Sequence, residues 1–303
     1  MKYSIPPPED EKINVSSSDY GFLLLKLALF LVVAVLTLNI ALRLTGSTLA
    51  TALISPQQEN KIFTPLVTKY FAQQNDAEIQ EINNELQRIA ERLSANLAHN
   101  NSIKFTVHYK PDSQIDAGAT LGGHILINKG LLNELQTENE IATVLAHEIS
   151  HSLNRDPLAN VGGSLLSQIA LLMILGNNPS AKLGLTSAQM EQQAYNRSIE
   201  ERADAFAVKL IADTYGHVGG VIKTYEFLDK TEKSHRLDTT PSFLRSHPEI
   251  PKRIELIILE IKKHGWPDSG ALIQKSPIFQ NLPDTITAEP LQTKASKDAS
   301  NNE

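Results

Sequence analysis

The chain has 303 residues, is 41% hydrophobic, lacks cysteine and carries a formal net charge of −6. That length holds one sizeable domain plus appendages, and the missing cysteines exclude a Cys-ligated metal and a thiol nucleophile. Mild acidity without a basic cluster argues against nucleic acid as a partner.

Residues 1–19, with Pro6, Pro7, Pro8 and a short acidic and serine-rich run, read as a flexible leader. Residues 20–44 are nearly all apolar, enough to span the roughly 30 Å hydrocarbon layer, with Lys26 and Arg43 near the two ends. The stretch is longer than a signal-peptide apolar region and lacks a small-x-small cleavage pattern, so one N-terminal transmembrane helix is predicted. Lys2 and Lys12 before it and Lys61 after it leave the positive-inside count nearly balanced. Residues 45–75, broken by Pro56 and Pro65, are predicted to be a juxtamembrane connection with short helical pieces.

A folded domain is expected over 76–265. Ile79, Ile82, Leu86, Ile89, Leu93 and Leu97 alternate spacings of three and four, marking a long amphipathic helix. Ile103 to Tyr109 alternates as a strand, in which His108 is read as structural. Gly122 and Gly123 open the segment HILIN, and Lys129 and Gly130 follow it as a predicted turn. As an edge strand beside a cleft, this segment would bind an extended substrate backbone through Gly123, His124, Ile125 and Leu126.

Next comes HEISH, His147 to His151. Thr137 and Glu140 form a capping-box signature for a helix start, and Ile141, Leu145, Ile149 and Leu153 make one apolar row. Thr143, His147, His151 and Arg155 make a second row. Two imidazoles four apart on a helix face one metal ion, and zinc suits neutral imidazole. Glu148 is then placed to take a proton from an attacking water. Asn154 and Pro157 exclude a third His at the metzincin offset, and Asp156 is the sole acid between His151 and Glu191. Glu200 therefore leads as third ligand, with Glu191 a weaker competitor. Asp204, one helical turn beyond Glu200, is suited to accept the other ring N–H of a ligating histidine, and Ala203 and Ala207 would let two helices approach.

HEISH followed by Glu200, Glu201, Arg202, Ala203, Asp204 resembles the HExxH…ExxAD pattern of the HtpX/BepA/Oma-like zinc metalloendopeptidases, gluzincins related to the CAAX prenyl endopeptidases. GGHILINKGLL (122–132) is similar to that family's strand before the metal helix, and SHPEIPKRI (246–254) to its later His-Pro motif. Upstream of that strand, Asp116, Gly118 and Leu121 depart from the family's usual pattern, while Ala117 keeps it. The resemblance implies that His247 lies over the zinc, as an oxyanion stabiliser or a latch on the open position, while Arg253 would pair with an acid near the cleft.

Beyond HEISH, 161–176 is apolar but too short for an ordinary span, reading as a helical plate over the cleft or a buried helix. Residues 177–185 read as a gating loop, 218–228 as a helix, and 230–240 as a polar loop. Residues 266–303 are expected to form a polar, disordered tail.

The expectation is an α+β, mostly helical zincin-type domain with a small β-sheet. One Zn²⁺ per chain is held by His147, His151 and Glu200, with Glu148 as general base and acid. The resemblance implies unfolded or misassembled envelope or membrane proteins as substrates. It also inclines the protease to the periplasmic or extracytoplasmic side of a single-pass anchor. The rival expectation is a zinc-latched, chaperone-like binding module with little proteolysis.

Overall fold

A computed structural model describes residues 17–71, 76–95, 97, 103–162, 197–234, 247 and 249–283. Helix α1 (Ser17–Leu53) runs unbroken for 37 residues. Its Tyr20–Leu38 window has mean hydropathy 2.6 and no buried share; among the described residues α1 alone is long and apolar enough to cross a membrane. The predicted boundary at 44 is absent, because nothing in residues 45–53 interrupts the hydrogen-bond ladder. After a two-residue corner the chain enters α2 (Pro56–Phe71), which runs through Pro65. The predicted short helical pieces are thus the end of α1 and one 16-residue helix.

Helix α3 (Ala77–Ser94) starts at Asp76, whose carboxylate accepts the Glu78 N–H at 3.0 Å. It buries Ile79, Ile82, Leu86, Ile89 and Leu93 along one stripe. A three-stranded sheet follows, β1 (Thr106–Lys110), β2 (Ala117–Thr120) and β3 (His124–Asn128), in the order β1-β3-β2. β3 pairs parallel with β1, His124 opposite Thr106, and antiparallel with β2, Ala119 opposite Ile125. The outer edge of β1 is occupied by α3: Val107 N–H donates to Gln87 Oε1 at 3.0 Å and Tyr109 N–H to Asn83 Oδ1 at 2.6 Å.

This order corrects the edge-strand expectation. β3 is central, paired on both sides, and Gly123, His124, Ile125 and Leu126 are all buried. None of them has a free backbone edge to offer an incoming peptide. His124 is 2% exposed, bonded through Nδ1 to His108 Nε2 at 2.8 Å and through Nε2 to Thr64 Oγ1 of α2 at 3.1 Å. Lys129 and Gly130 begin a helix, α4 (Lys129–Glu134), not a turn. A Cβ at Gly130 would sit 2.1 Å from the Ser113 carbonyl oxygen, which only glycine tolerates.

Helix α5 (Glu138–Leu153) packs chiefly on α6 (Arg197–Tyr215), with α3, the sheet and α7 (Val221–Ser234) around it; α8 (Ile250–His264) covers α6 and α7. Residues 266–283 are not a loose tail. Ile273 carbonyl accepts the Glu138 N–H at 2.9 Å, Ile273 N–H donates to Asn139 Oδ1 at 2.8 Å, and Phe279 is 1% exposed in the main core. Leader residues 1–16, tail residues 284–303, most of 161–176, the 177–185 loop, Glu191 and the later part of 230–240 lie outside the described residues.

Candidate zinc site

α5 is built as expected at its start: Thr137 Oγ1 accepts the Glu140 N–H at 3.2 Å. The Glu140 carboxylate reaches back to the Gln136 N–H at 2.6 Å, one residue earlier than a capping box would place it. Every residue from Glu138 to Ser152 is buried, so the polar side chains of this helix must find partners inside the protein. Ile141, Leu145 and Ile149 point into the core, each fully buried. His147 and His151 emerge on another face, towards α6, where buried Ala203 and Ala207 leave room for close packing.

Four side chains converge there: His147, His151, Glu200 and His247 offer ligand atoms all within 4.8 Å of one another. His147 Nε2 lies 3.0 Å from His151 Nε2 and 3.2 Å from His247 Nδ1. The Glu200 oxygens lie 3.5 Å from each of the two α5 histidines and 3.0 Å from His247 Nδ1. Zinc bonds of about 2.0–2.1 Å in a tetrahedron put neighbouring donors about 3.3 Å apart. The observed separations bracket that edge, so the donor set fits the ion in both chemistry and spacing.

Carboxylates orient the rings from behind. His147 Nδ1 lies 3.0 Å from Asp204 Oδ1. Arg253 donates from Nε and Nη2 to Asp204, both at 2.7 Å, sits 2.8 Å from Glu200 Oε2 through Nη1, and donates to the His247 carbonyl at 3.2 Å. Tyr225 O–H donates to Asp204 Oδ1 at 2.5 Å. His151 Nδ1 pairs with Asp156 Oδ2 at 2.9 Å, and Arg202 Nη2 donates to both Asp156 oxygens at 2.7 Å. The sequence reading missed Asp156 and Tyr225. Asp156 carried a signal, since each ligating imidazole needs an acceptor for its second nitrogen and this is the first acid after His151.

The electrostatics favour a cation. Burial works against a charged His147 ring, but Asp204 and Glu200 outweigh it and raise the pKa to about 9. Burial likewise opposes charge on Glu200 and Asp204. The histidines facing Glu200, and Arg253 with His147 facing Asp204, hold both carboxyls far below their ordinary range. Burial pushes the His151 pKa down.

Glu148 is fully buried; its Oε2 accepts the Ala119 N–H of β2 at 2.6 Å. Its Oε1 has no hydrogen-bond partner among the described residues and lies 3.7 Å from His247 Nε2. Arg155 leaves the predicted row because α5 ends at Leu153 and Arg155 takes φ 57°.

The sequence profile described as peptidase family M48 matches residues 80–259 of this chain. The chain belongs to peptidase family M48. The converging donor group His147, His151, Glu200 and His247 lies wholly within the matched residues. Among curated relatives, it is 29% identical over 192 residues to a putative beta-barrel assembly-enhancing protease of Vibrio cholerae, covering 57% of this chain and 38% of the relative. Against the beta-barrel assembly-enhancing protease of Escherichia coli K12 the identity is 27% over 176 residues, 52% of this chain and 35% of the other. The mitochondrial metalloendopeptidase OMA1 of Arabidopsis thaliana is 27% identical over 161 residues, 53% and 32% respectively. The M48 chain thus matches less than half the length of each of these relatives.

Proposed function

We propose that this chain is a membrane-anchored, zinc-dependent endopeptidase that hydrolyses peptide bonds in unfolded or misassembled proteins, with α1 crossing the bilayer once. The observation that carries the reading is the convergence of His147, His151, Glu200 and His247 beside a Glu148 oxygen that has no hydrogen-bond partner among the described residues. His147, His151 and Glu200 hold the ion; Asp156 bonds the second nitrogen of His151, and Asp204 faces that of His147 at 3.0 Å. Zinc held there supplies Lewis acidity, which makes water a nucleophile near neutral pH. Glu148 Oε1 takes the proton as water attacks the scissile carbonyl carbon, and returns it to the leaving nitrogen as the C–N bond breaks. The Ala119 N–H holds the other oxygen, so the carboxylate needs no reorientation between the two transfers.

His247 is a removable fourth donor, a latch that must swing aside for substrate; its Nδ1 contacts to Glu200 and His147 support this. The same contacts favour a second reading, a zinc-closed binding module. His247→Ala separates the two: proteolysis rises for a latch, whereas zinc and thermal stability are lost for a structural ligand. An extended substrate adds to β2, since α3 fills the far edge of the sheet. By likeness to the beta-barrel assembly-enhancing proteases, the substrates are misassembled envelope proteins and the domain faces the extracytoplasmic side.

The test is zinc content of the full chain in detergent, compared with Glu200→Ala and Glu148→Gln. Wild type and Glu148→Gln bind one zinc, Glu200→Ala binds less, and only wild type cleaves an unfolded protein. Cleavage by purified Glu148→Gln, free of contaminating protease, refutes the mechanism.

A further inference from the structure

The corner after α5 joins the metal-binding helix to the N-terminal helices. Asn154 caps α5 and Arg155 takes φ 57°, a region that favours glycine, before the chain turns helical again at Asp156. One residue after another, the corner makes two connections, one back to the metal-binding helix and one to the N-terminal helices. Asp156 receives His151, as described, while the Arg155 guanidinium reaches the end of α1. Its Nη1 donates to the Thr51 carbonyl at 2.8 Å, its Nη2 to the Ile54 carbonyl, and its Nε to Glu59 Oε2 at 2.8 Å.

Glu59, on the first turn of α2, is 5% exposed. Its other oxygen accepts the Gly122 N–H at 3.0 Å, and the neighbouring Asn60 Nδ2 donates to the Gly122 carbonyl at 2.9 Å. Gly122 lies two residues beyond β2, the strand whose Ala119 N–H fixes Glu148. Around the ion pair, Ala50, Phe63, Leu121, Leu158 and Val161 form a second apolar cluster, separate from the main core. A guanidinium with three directed donors, in a site largely closed to water, tolerates little displacement of any partner.

We propose that Arg155 and Glu59 are positioning residues for hydrolysis, making the last turn of α1 a support for both halves of the site: the corner that aims His151 and the strand that aims Glu148. This rests on the protease reading above. A brace of purely structural value would alter stability alone. Positioning residues far from the chemistry alter kcat, because misplacement of reacting groups by an ångström costs rate rather than binding.

The experiment uses the full chain in detergent. It compares Arg155→Ala, Arg155→Lys and Glu59→Gln with Arg88→Ala, a control that removes a Glu138 ion pair at the other end of α5. Glu59→Gln keeps shape and one acceptor, so it folds. Arg155→Ala and Glu59→Gln should each lower kcat on a short peptide about tenfold with KM within about twofold, Arg155→Lys recovering part of the loss. In the zinc-free protein, amide exchange should quicken in peptides spanning 117–123 and 147–156 and not elsewhere in α5, and Arg88→Ala should change neither kcat nor that exchange pattern. An unchanged kcat in folded Arg155→Ala and Glu59→Gln, or exchange that quickens evenly along α5, overturns the proposal. Absence of cleavage in wild type would instead sink the protease reading, while the exchange pattern still decides whether the corner couples the two segments.

Discussion

Replacing Arg253 by Met keeps most of the side-chain volume and removes the cation that three groups share. Arg253 is 3% exposed and faces Asp204 through two hydrogen bonds at 2.7 Å and Glu200 at 2.8 Å. Breaking a buried ion pair from one side costs about 3–5 kcal/mol, because the orphaned carboxylate stays dry. For a folded unit of this size that lowers the melting temperature by roughly 10 °C in metal-free protein. Saturating zinc should shrink the deficit, since Glu200 then faces a cation again, while also raising the melting point of both proteins by mass action. Adding Asp204→Asn removes the orphaned charge and should recover about 2 kcal/mol, a coupling visible in a double-mutant cycle. Thermal unfolding followed by circular dichroism, with and without zinc, measures all four proteins. Metal-free Arg253→Met melting within about 2 °C of wild type would refute the reasoning.

Asp156→Asn should weaken zinc binding about 10–100-fold by loosening the His151 ring, read by competition with a chromophoric chelator; an unchanged affinity contradicts the orienting role. The His108–His124 pair sets an acid limit. Burial lowers both pKa values to about 4, with the neighbouring His124 adding to the effect on His108. The fold therefore holds both rings neutral, while the unfolded chain takes up protons below its ordinary imidazole pKa. Stability is full above about pH 6.5 and falls by a few kcal/mol as pH drops to about 4. Replacing both residues with Gln should flatten that part of a urea-midpoint against pH curve, and an equally steep curve in the double variant would show that other groups cause it.

What could be read from the sequence was what lies close along the chain. The HEISH helix announces itself through Thr137, Glu140 and a four-residue apolar row, and Glu200 with Asp204 through one turn of a second helix, because helical neighbours are sequence neighbours. Sheet order is different. β2 is four residues, AGAT, with no apolar alternation, and its pairing with β3 is decided by what packs beneath it, so HILIN alone reads as an edge. Asp156 is illegible as a partner of His151 because its approach depends on a left-handed residue, Arg155, that no propensity foretells. Residues 266–283 looked like a tail because backbone groups hold part of them: the Ile273 carbonyl and the Glu138 N–H bond whatever their side chains are.

The unbroken length of α1 would set the reach of the proposed membrane-anchored enzyme. With Tyr20–Leu38 in a bilayer, the fifteen residues from Asn39 to Leu53 carry the same helix about 22 Å further into the water. A flexible linker of that length would let the catalytic domain sample a whole hemisphere, including the lipid surface itself. A helix whose last carbonyls are gripped by Arg155 acts instead as a mast, fixing one working height and one heading. On the proposed anchoring, segments that stand clear of the membrane at that height would meet the cleft, and those lying flat against the lipid would pass beneath it.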